Sequence, residues 1–294
     1  GLTNGSHEVR VEASDSCGGT QGQRVSVVVD NPVMWLSFSA TTTVPGLGSV
    51  ESRDIVSRNT VTGAWSWVFD GSDVLPSGAE IDAIARLSNG DILISFADPV
   101  VIPGMTGGPG GGTTLDDSDI VRFVPTSLGA NTAGSFDFYF EGSDVGLTQN
   151  DEDIDALGVL PNGHLVLSTV GTVSAFGPMP SNTISADDED LLEFTPTSLG
   201  QATNGSWAFY FDGSDVGLTV NSEDVDGFAQ TSTGALLLST TGAFAVTGAT
   251  GEDEDVFRFT STSLGSTTAG GFAMSLDLSA LGITTNVSAI EWVP

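Results

Sequence analysis

Pairs of acidic residues separated by one position recur along the 294-residue chain. One set stands at 80–82, 153–155 and 224–226, and a second at 117–119, 188–190 and 253–255. Residues two apart on a strand point to the same side of the backbone, so each pair brings two carboxylates together. Like charges at this distance either raise each other's pKa or bind a cation.

The chemistry of these groups favours a hard cation. The chain has two histidines and one cysteine, and carboxylate oxygens are the usual ligands of Ca²⁺, the common extracellular ion of this kind. Asp151, Asp153 and Asp155 do not form an EF-hand loop, because Ala156 stands where that loop needs glycine. We therefore predict repeated Ca²⁺ sites. Their ligands are Asp73, Glu80, Asp82, Asp119, Asp144, Asp153, Asp155, Asp190, Asp215, Asp224, Asp226 and Asp255.

The acidic residues also fit two alternatives to metal binding. Acidic loop ends can form a solvated face that keeps a protein soluble, and adaptation to high salt produces a similar excess of acids. One copy of the pattern differs from the rest: Ala280, Asn286 and Ser288 stand where other copies have acids. We expect no metal site at that junction.

An internal repeat predicts the fold. The sequence Gly-Ser-Asp-Val occurs at 71–74, 142–145 and 213–216, at a spacing of 71 residues. Each unit contains four short apolar runs, here called strands A to D, such as 154–160, 164–169, 190–194 and 207–211. Gly, Asn, Pro and Ser separate the runs, and no helical period is sustained. Four antiparallel strands with two apolar faces can be buried by stacking around an axis, which predicts a β-propeller.

Incomplete units at the two ends of the repeat indicate the number of blades. Residues 33–39, 54–58 and 64–74 match strands B, C and D without a preceding A, whereas 286–294 matches a strand A. We predict that this C-terminal strand completes the first blade, so that an all-β, four-bladed propeller of four-stranded blades spans 31–294. A β-solenoid or a row of sandwiches is the alternative. The units resemble the short β-propeller repeats of secreted and surface proteins of bacteria, which implies an extracellular or cell-surface location.

Residues 1–30 stand outside the repeat. The runs 7–15 and 23–30 alternate apolar and polar residues, which predicts two strands of a half-exposed sheet. This segment resembles the last two strands of a bacterial Ig-like domain, so we predict a separate N-terminal β-hairpin. Its free edges make it a candidate for pairing with a neighbouring sheet or for self-association.

The charge of the chain excludes two classes of partner. There are 38 acidic residues against seven basic ones, all arginine, and the net charge is −31. Nucleic acids and anionic membrane surfaces need clustered positive charge, so neither is a predicted partner. No apolar run reaches 18 residues, and we predict no membrane insertion.

The placement of the acids bears on function. In a four-stranded meander the D-to-A and B-to-C connections lie on one face of the ring, here called the upper face. Most of the acidic residues fall in these connections. We expect Asp73, Asp144 and Asp215 to end the D strands. No Ser-His-Asp or Cys-His set can be assembled, and we predict no catalytic residue.

Two hypotheses of function follow. The first is a non-enzymatic structural or adhesion module, extracellular or on the cell surface, stabilised by Ca²⁺ in the repeated loops. The alternative is a Ca²⁺-dependent hydrolase or lactonase with one metal on the axis. Several peripheral sites would favour the module, and one axial site with an open coordination position would favour the enzyme.

Overall fold

A computed structural model describes residues 5–14, 20–29, 31–173 and 184–294. At the N-terminus, β1 (Gly5–Ser14) and β2 (Thr20–Val29) pair antiparallel, from Gly5 opposite Val29 to Ser14 opposite Thr20. This confirms the predicted hairpin, whereas its likeness to an Ig-like domain and its pairing with another sheet stay predictions. Cys17 lies outside the described residues.

The repeat region forms four antiparallel sheets of four strands, which are the blades of a propeller. Its strands are β3 (Val33–Ser37), β4 (Thr42–Val44), β5 (Gly48–Val50), β6 (Ile55–Asn59), β7 (Trp65–Phe69), β8 (Ile81–Arg86), β9 (Ile92–Phe96), β10 (Val100–Val101), β11 (Thr114–Leu115), β12 (Ile120–Ser127), β13 (Ala133–Phe140), β14 (Ile154–Val159), β15 (Leu165–Thr169), β16 (Leu191–Ser198), β17 (Asn204–Phe211), β18 (Gly227–Gln230), β19 (Leu236–Ser239), β20 (Phe244–Val246), β21 (Ala249–Gly251), β22 (Val256–Ser263), β23 (Ala269–Leu276) and β24 (Ala289–Val293).

The strand order within each blade confirms the four-bladed ring. Blade 1 has the order β24–β3–β6–β7, blade 2 β8–β9–β12–β13, blade 3 β14–β15–β16–β17 and blade 4 β18–β19–β22–β23. The first strand of each blade is innermost, and these four strands contact one another around the axis. Short hairpins, β4–β5, β10–β11 and β20–β21, extend the B-to-C connections of blades 1, 2 and 4.

The C-terminal strand closes the ring as predicted. Strand β24 pairs antiparallel with β3, with Ile290 opposite Leu36 and Trp292 opposite Met34. Both Ile290 and Leu36 are buried, so the closing strand contributes apolar core as well as backbone hydrogen bonds.

Aromatic side chains fill three of the four junctions between blades. Phe69, Phe140 and Phe211, at the ends of outer strands, make edge contacts with Phe123, Phe194 and Phe259 of the next blade, at centroid distances of 5.0, 5.3 and 5.2 Å. Such aromatic pairs stabilise by about 0.5–1.5 kcal/mol beyond the burial of their area. The repeat is therefore a packing unit as well as a sequence unit.

The Gly-Ser-Asp-Val segments differ from the prediction that their aspartates end the D strands. The strands end earlier, at Phe69, Phe140 and Phe211, and 3-10 turns follow at Gly71–Asp73, Ser143–Val145 and Ser214–Val216. A Cβ on Gly142 would lie 2.3 Å from the Ser118 carbonyl oxygen, so the backbone approaches its neighbour too closely for any other residue. This contact turns the chain out of the strand direction. Within the described residues no helix is long and apolar enough to cross a membrane.

Candidate functional site

The acids that begin the C strands are occupied by backbone hydrogen bonds. Asp119 accepts from the backbone N–H of Asp116 (2.9 Å) and of Gly142 (3.1 Å), which ties a loop to the following 3-10 turn. Asp190 and Asp255 make the equivalent pairs of bonds, and so does Asp54, which was not among the predicted ligands. Burial raises the pKa of Asp119 to about 7 although both hydrogen bonds lower it. The recurrence of these acids thus has a structural cause.

The aspartates of the 3-10 turns link neighbouring blades. Asp73, Asp144 and Asp215 accept hydrogen bonds from the backbone N–H groups of Thr132, Thr203 and Thr268, at 2.7, 2.9 and 2.8 Å. Each bond joins one blade to the next, and hydrogen bonds to charged groups stabilise by about 1.5–3 kcal/mol. Ala280 takes the aspartate's place at the junction of blades 4 and 1.

The acids of the A strands converge on the ring axis instead. Asp82 in β8, Asp155 in β14 and Asp226 next to β18 occupy the same position of three inner strands, and Ser288 occupies the fourth. The pKa of Asp155 is raised well above its ordinary value, mainly by burial and then by the charges of Asp224, Asp82 and Asp226. Asp155 and Asp226 are each only 2% exposed.

A second layer lies two residues earlier on the same strands, at Glu80, Asp153, Asp224 and Asn286. Burial raises the pKa of Asp224 to about 9, with the charge of Asp226 the next cause. The pKa of Asp226 rises to about 7 because of burial, although hydrogen bonds from Ser239 and Asn286 lower it. Burial also raises the pKa of Asp153 to about 7, and the neighbouring carboxyl of Asp117 adds to this effect.

Unpaired oxygens distinguish this region from the peripheral acids. We call Asp82, Asp155, Asp224, Asp226 and Asn286 the axial cluster. Five of its buried oxygens have no N–H or hydroxyl donor in good hydrogen-bond geometry: both Oδ atoms of Asp155, Oδ1 of Asp224, Oδ2 of Asp226 and Oδ1 of Asn286. The carboxyls of Asp155 and Asp224 lie within hydrogen-bond reach of each other and can share a proton. An unsatisfied buried polar group costs about 1–3 kcal/mol, and more when it is charged. In the part of the chain that the structure describes, no group of three or more His, Cys, Asp or Glu side chains is placed so that it could hold a metal ion without rearrangement.

The structure therefore separates the predicted ligands into two groups. Asp82, Asp155, Asp224 and Asp226 meet at the axis, whereas Asp73, Asp119, Asp144, Asp190, Asp215 and Asp255 serve backbone N–H groups. Glu80 and Asp153 lie at the rim of the cluster, and Asp153 also lines a cleft of about 380 Å³ with Asp98, Asp116 and Asp117. Asn286, which we took as a sign of a lost site, adds an oxygen to the cluster. In the aligned repeat copies Asn286 stands at the position of Asp224, and this match was the sequence signal for its place in the cluster.

Comparisons with known proteins find only distant structural likeness. No family model and no curated protein matches the chain. Among solved structures, a PQQ-bound aldose sugar dehydrogenase from Streptomyces coelicolor is similar at 13% identity and a TM-score of 0.36, over 82% of this chain and 84% of that one. A protein of unknown function from Bacteroides caccae is similar at 10% identity and a TM-score of 0.33, over 90% of this chain and 99% of that one. Likeness at this level carries no argument about activity.

Proposed function

We propose that this protein is a non-catalytic propeller module, extracellular or on the cell surface, whose ring is stabilised by one Ca²⁺ bound in the axial cluster. Asp155, Asp224 and Asp226 supply carboxylate oxygens, and Asn286 supplies an amide oxygen. The observation that carries the proposal is the set of five buried oxygens to which no N–H or hydroxyl group donates in good hydrogen-bond geometry. They come from the inner strands of blades 1, 3 and 4, so a cation among them would hold the ring together.

A cation suits these atoms better than water does. Oxygens bind Ca²⁺ at about 2.3–2.6 Å, which is shorter than the roughly 2.8 Å of a hydrogen bond between oxygens, so an ion needs less room. It also neutralises several carboxylates at once. A water molecule would leave their repulsion in place, and that repulsion helps to raise the pKa values of Asp155 and Asp224.

Ca²⁺ fits the donor set better than Mg²⁺. All the donors are oxygens, and they approach from the inner strands of three blades without regular symmetry, which suits the irregular coordination of six to eight ligands that Ca²⁺ accepts. Mg²⁺ requires a near-ideal octahedron and gives up its water reluctantly. The proposal replaces three repeated sites with one axial site, because the peripheral carboxylates already have backbone partners.

Burial favours the structural role over catalysis. A catalytic metal keeps a position open to substrate, whereas Asp155 and Asp226 are almost fully enclosed. The axial position itself is the one feature that favours a Ca²⁺-dependent hydrolase or lactonase. A metal bound at the second layer, beside Glu80, Asp153 and the acidic cleft, would give such an enzyme a metal that substrate can reach.

Calorimetric titration with Ca²⁺ tests the proposal. We expect one site per chain in the wild type, with a dissociation constant of about 10⁻⁴ to 10⁻³ M as in extracellular Ca²⁺ modules. Asp155→Asn should abolish binding, and Asp144→Asn, a matched control at a blade junction, should leave the single site intact. Three sites, or loss of a site in Asp144→Asn, would support the repeated peripheral sites. Hydrolysis of lactone or ester substrates that depends on Ca²⁺ would support the enzyme.

A further inference from the structure

One position breaks the fourfold pattern of the aromatic core. Phe123, Phe194 and Phe259 are fully buried at matching positions of blades 2, 3 and 4, and each pairs with its strand neighbours in the same register. Blade 1 has Arg58 at this position, opposite Met34 on β3 and Trp65 on β7. A partly buried arginine thus takes the place of a fully buried phenylalanine in the repeat.

The aromatic partner from the preceding blade is also missing at this junction. Leu276 of β23 corresponds to Phe69, Phe140 and Phe211, which close the other three junctions. With the polar Arg58 and the smaller Leu276 in place of two phenylalanines, a pocket of about 140 Å³ remains between blades 4 and 1. It is lined by Met34, Arg58, Thr60, Ser275, Leu276 and Trp292.

Two hydrogen-bond donors in this lining are unused. Arg58 Nε and Trp292 Nε1 are buried and have no acceptor. Arg58 makes no ion pair with any described residue, although the chain contains 38 acids, and its nearest aromatic contact is the Trp65 ring, 5.9 Å from the guanidinium carbon. Burying the Nε–H of Arg58 and the indole N–H of Trp292 without an acceptor is costly, because each loses its hydrogen bond to water.

We propose that this pocket binds a carboxylate group, with Arg58 and the Trp292 indole N–H as its donors. Arginine pairs with planar carboxylates through charge-assisted hydrogen bonds, and the apolar walls formed by Met34 and Leu276 suit the carbon next to the carboxylate. The volume equals that of nearly five water molecules at roughly 30 Å³ each, which is enough for a carboxylate head. A monoanion is also repelled less than a dianionic phosphate by a protein of charge −31.

The indole N–H resonances of the five tryptophans provide a direct readout. We would titrate ¹⁵N-labelled protein with sodium acetate at constant ionic strength, replacing chloride, and assign the Trp292 resonance with Trp292→Phe. The expected result is a saturable downfield shift of that resonance. Arg58→Phe, which restores the residue of the other blades, should abolish the shift. Arg258→Gln, which removes an exposed arginine of blade 4, should preserve it.

Three results would overturn the proposal. An unmoved Trp292 resonance, an equal shift with chloride, or a shift that persists in Arg58→Phe each means that Arg58 has only a packing role. Arg58→Gln gives the same test if the phenylalanine variant does not fold. A peptide with a free C-terminus, compared with its amidated form and with acetate, then identifies the source. Tighter binding of the free peptide indicates a chain terminus, and equal affinity for acetate indicates a small free acid.

Discussion

Asp155 and Asp224 bring two carboxyl groups from neighbouring inner strands against each other inside the ring, close enough for a hydrogen bond between them that lowers the pKa of Asp224. The pKa of each is raised, first by burial and then by surrounding negative charge. In the absence of a cation, protons must balance this charge at neutral pH. Proton binding, cation binding and the stability of the ring are therefore coupled through this pair.

The first prediction concerns pH in the presence of a chelator. Because the axial carboxyls have higher pKa values when folded, the folded state binds more protons than the unfolded chain, and stability falls as pH rises. The window runs from the ordinary Asp value near 4 to the pKa of about 9 at Asp224. We expect the melting temperature to fall steadily between pH 5 and pH 9. Asp155→Asn should flatten this slope, and an unchanged slope in that variant would place the titrating groups elsewhere.

The second prediction concerns proton release. If Ca²⁺ replaces protons in the axial cluster, binding at pH 7 should release at least one proton per ion, because the pKa of Asp224 lies near 9 and those of Asp155 and Asp226 are raised as well. Titration calorimetry in buffers of different ionisation enthalpy measures this number. At pH 10 the release should be smaller, because Asp224 has then lost its proton. Ca²⁺ binding with no proton release at pH 7 would contradict the assignment of the ion to this cluster.

The third prediction separates specific binding from screening. At 1 mM Ca²⁺, a site with a dissociation constant of 10⁻⁴ to 10⁻³ M stabilises the fold by about 0.4–1.4 kcal/mol. A chelator should lower the melting temperature, and Ca²⁺ should restore it, whereas NaCl of equal ionic strength should not. Equal rescue by NaCl would mean plain screening of the −31 surface.

The fourth prediction concerns ring closure. Removing residues 289–294 deletes β24, which leaves the inner edge of β3 unpaired and uncovers Leu36. We expect aggregation or loss of a cooperative melting transition. The milder change Ile290→Ala should cost about 2–5 kcal/mol, measured by urea unfolding, because it creates a cavity at a fully buried position. A truncated chain that melts as sharply as the full chain would contradict this role.

The fifth prediction concerns the links between blades. Asp144→Ala removes the acceptor of the Thr203 backbone N–H and should destabilise the protein by about 1.5–3 kcal/mol in urea unfolding. The exposed Asp98, which has no such bond, is the matched control, and Asp98→Ala should change stability by less than about 0.5 kcal/mol. Equal effects of the two changes would mean that the link contributes little.

The fold could be predicted from the sequence because its repeat is also its packing unit. The spacing of Gly-Ser-Asp-Val and the unmatched strand at 286–294 were sufficient for the blade count and the closure. The roles of the acids could not be read in the same way. Asp144 and Asp155 belong to the same repeat, yet only the folded ring shows that Asp144 accepts a hydrogen bond from the next blade whereas Asp155 faces the carboxyls of Asp82, Asp224 and Asp226.

Arg58 shows a different limit. When residues 54–58 are aligned with residues 119–123, Arg58 matches Phe123, so the departure of blade 1 from the aromatic pattern was visible in the sequence. The pocket was not visible, because it also depends on Leu276 from another blade and on Trp292 from the closing strand. Side chains that come together only across the ring closure leave no local pattern.

Ring closure by β3 and β24 also determines how the propeller would respond to mechanical load. Val33 and Val293 lie opposite each other, so the two ends of the ring leave it side by side. A force pulling these ends apart would break the pairing of β3 with β24 one residue pair at a time, starting at Val33 and Val293. The five pairs would not share the load. Blade 1 would open first at low tension, and the remaining blades would unravel in turn.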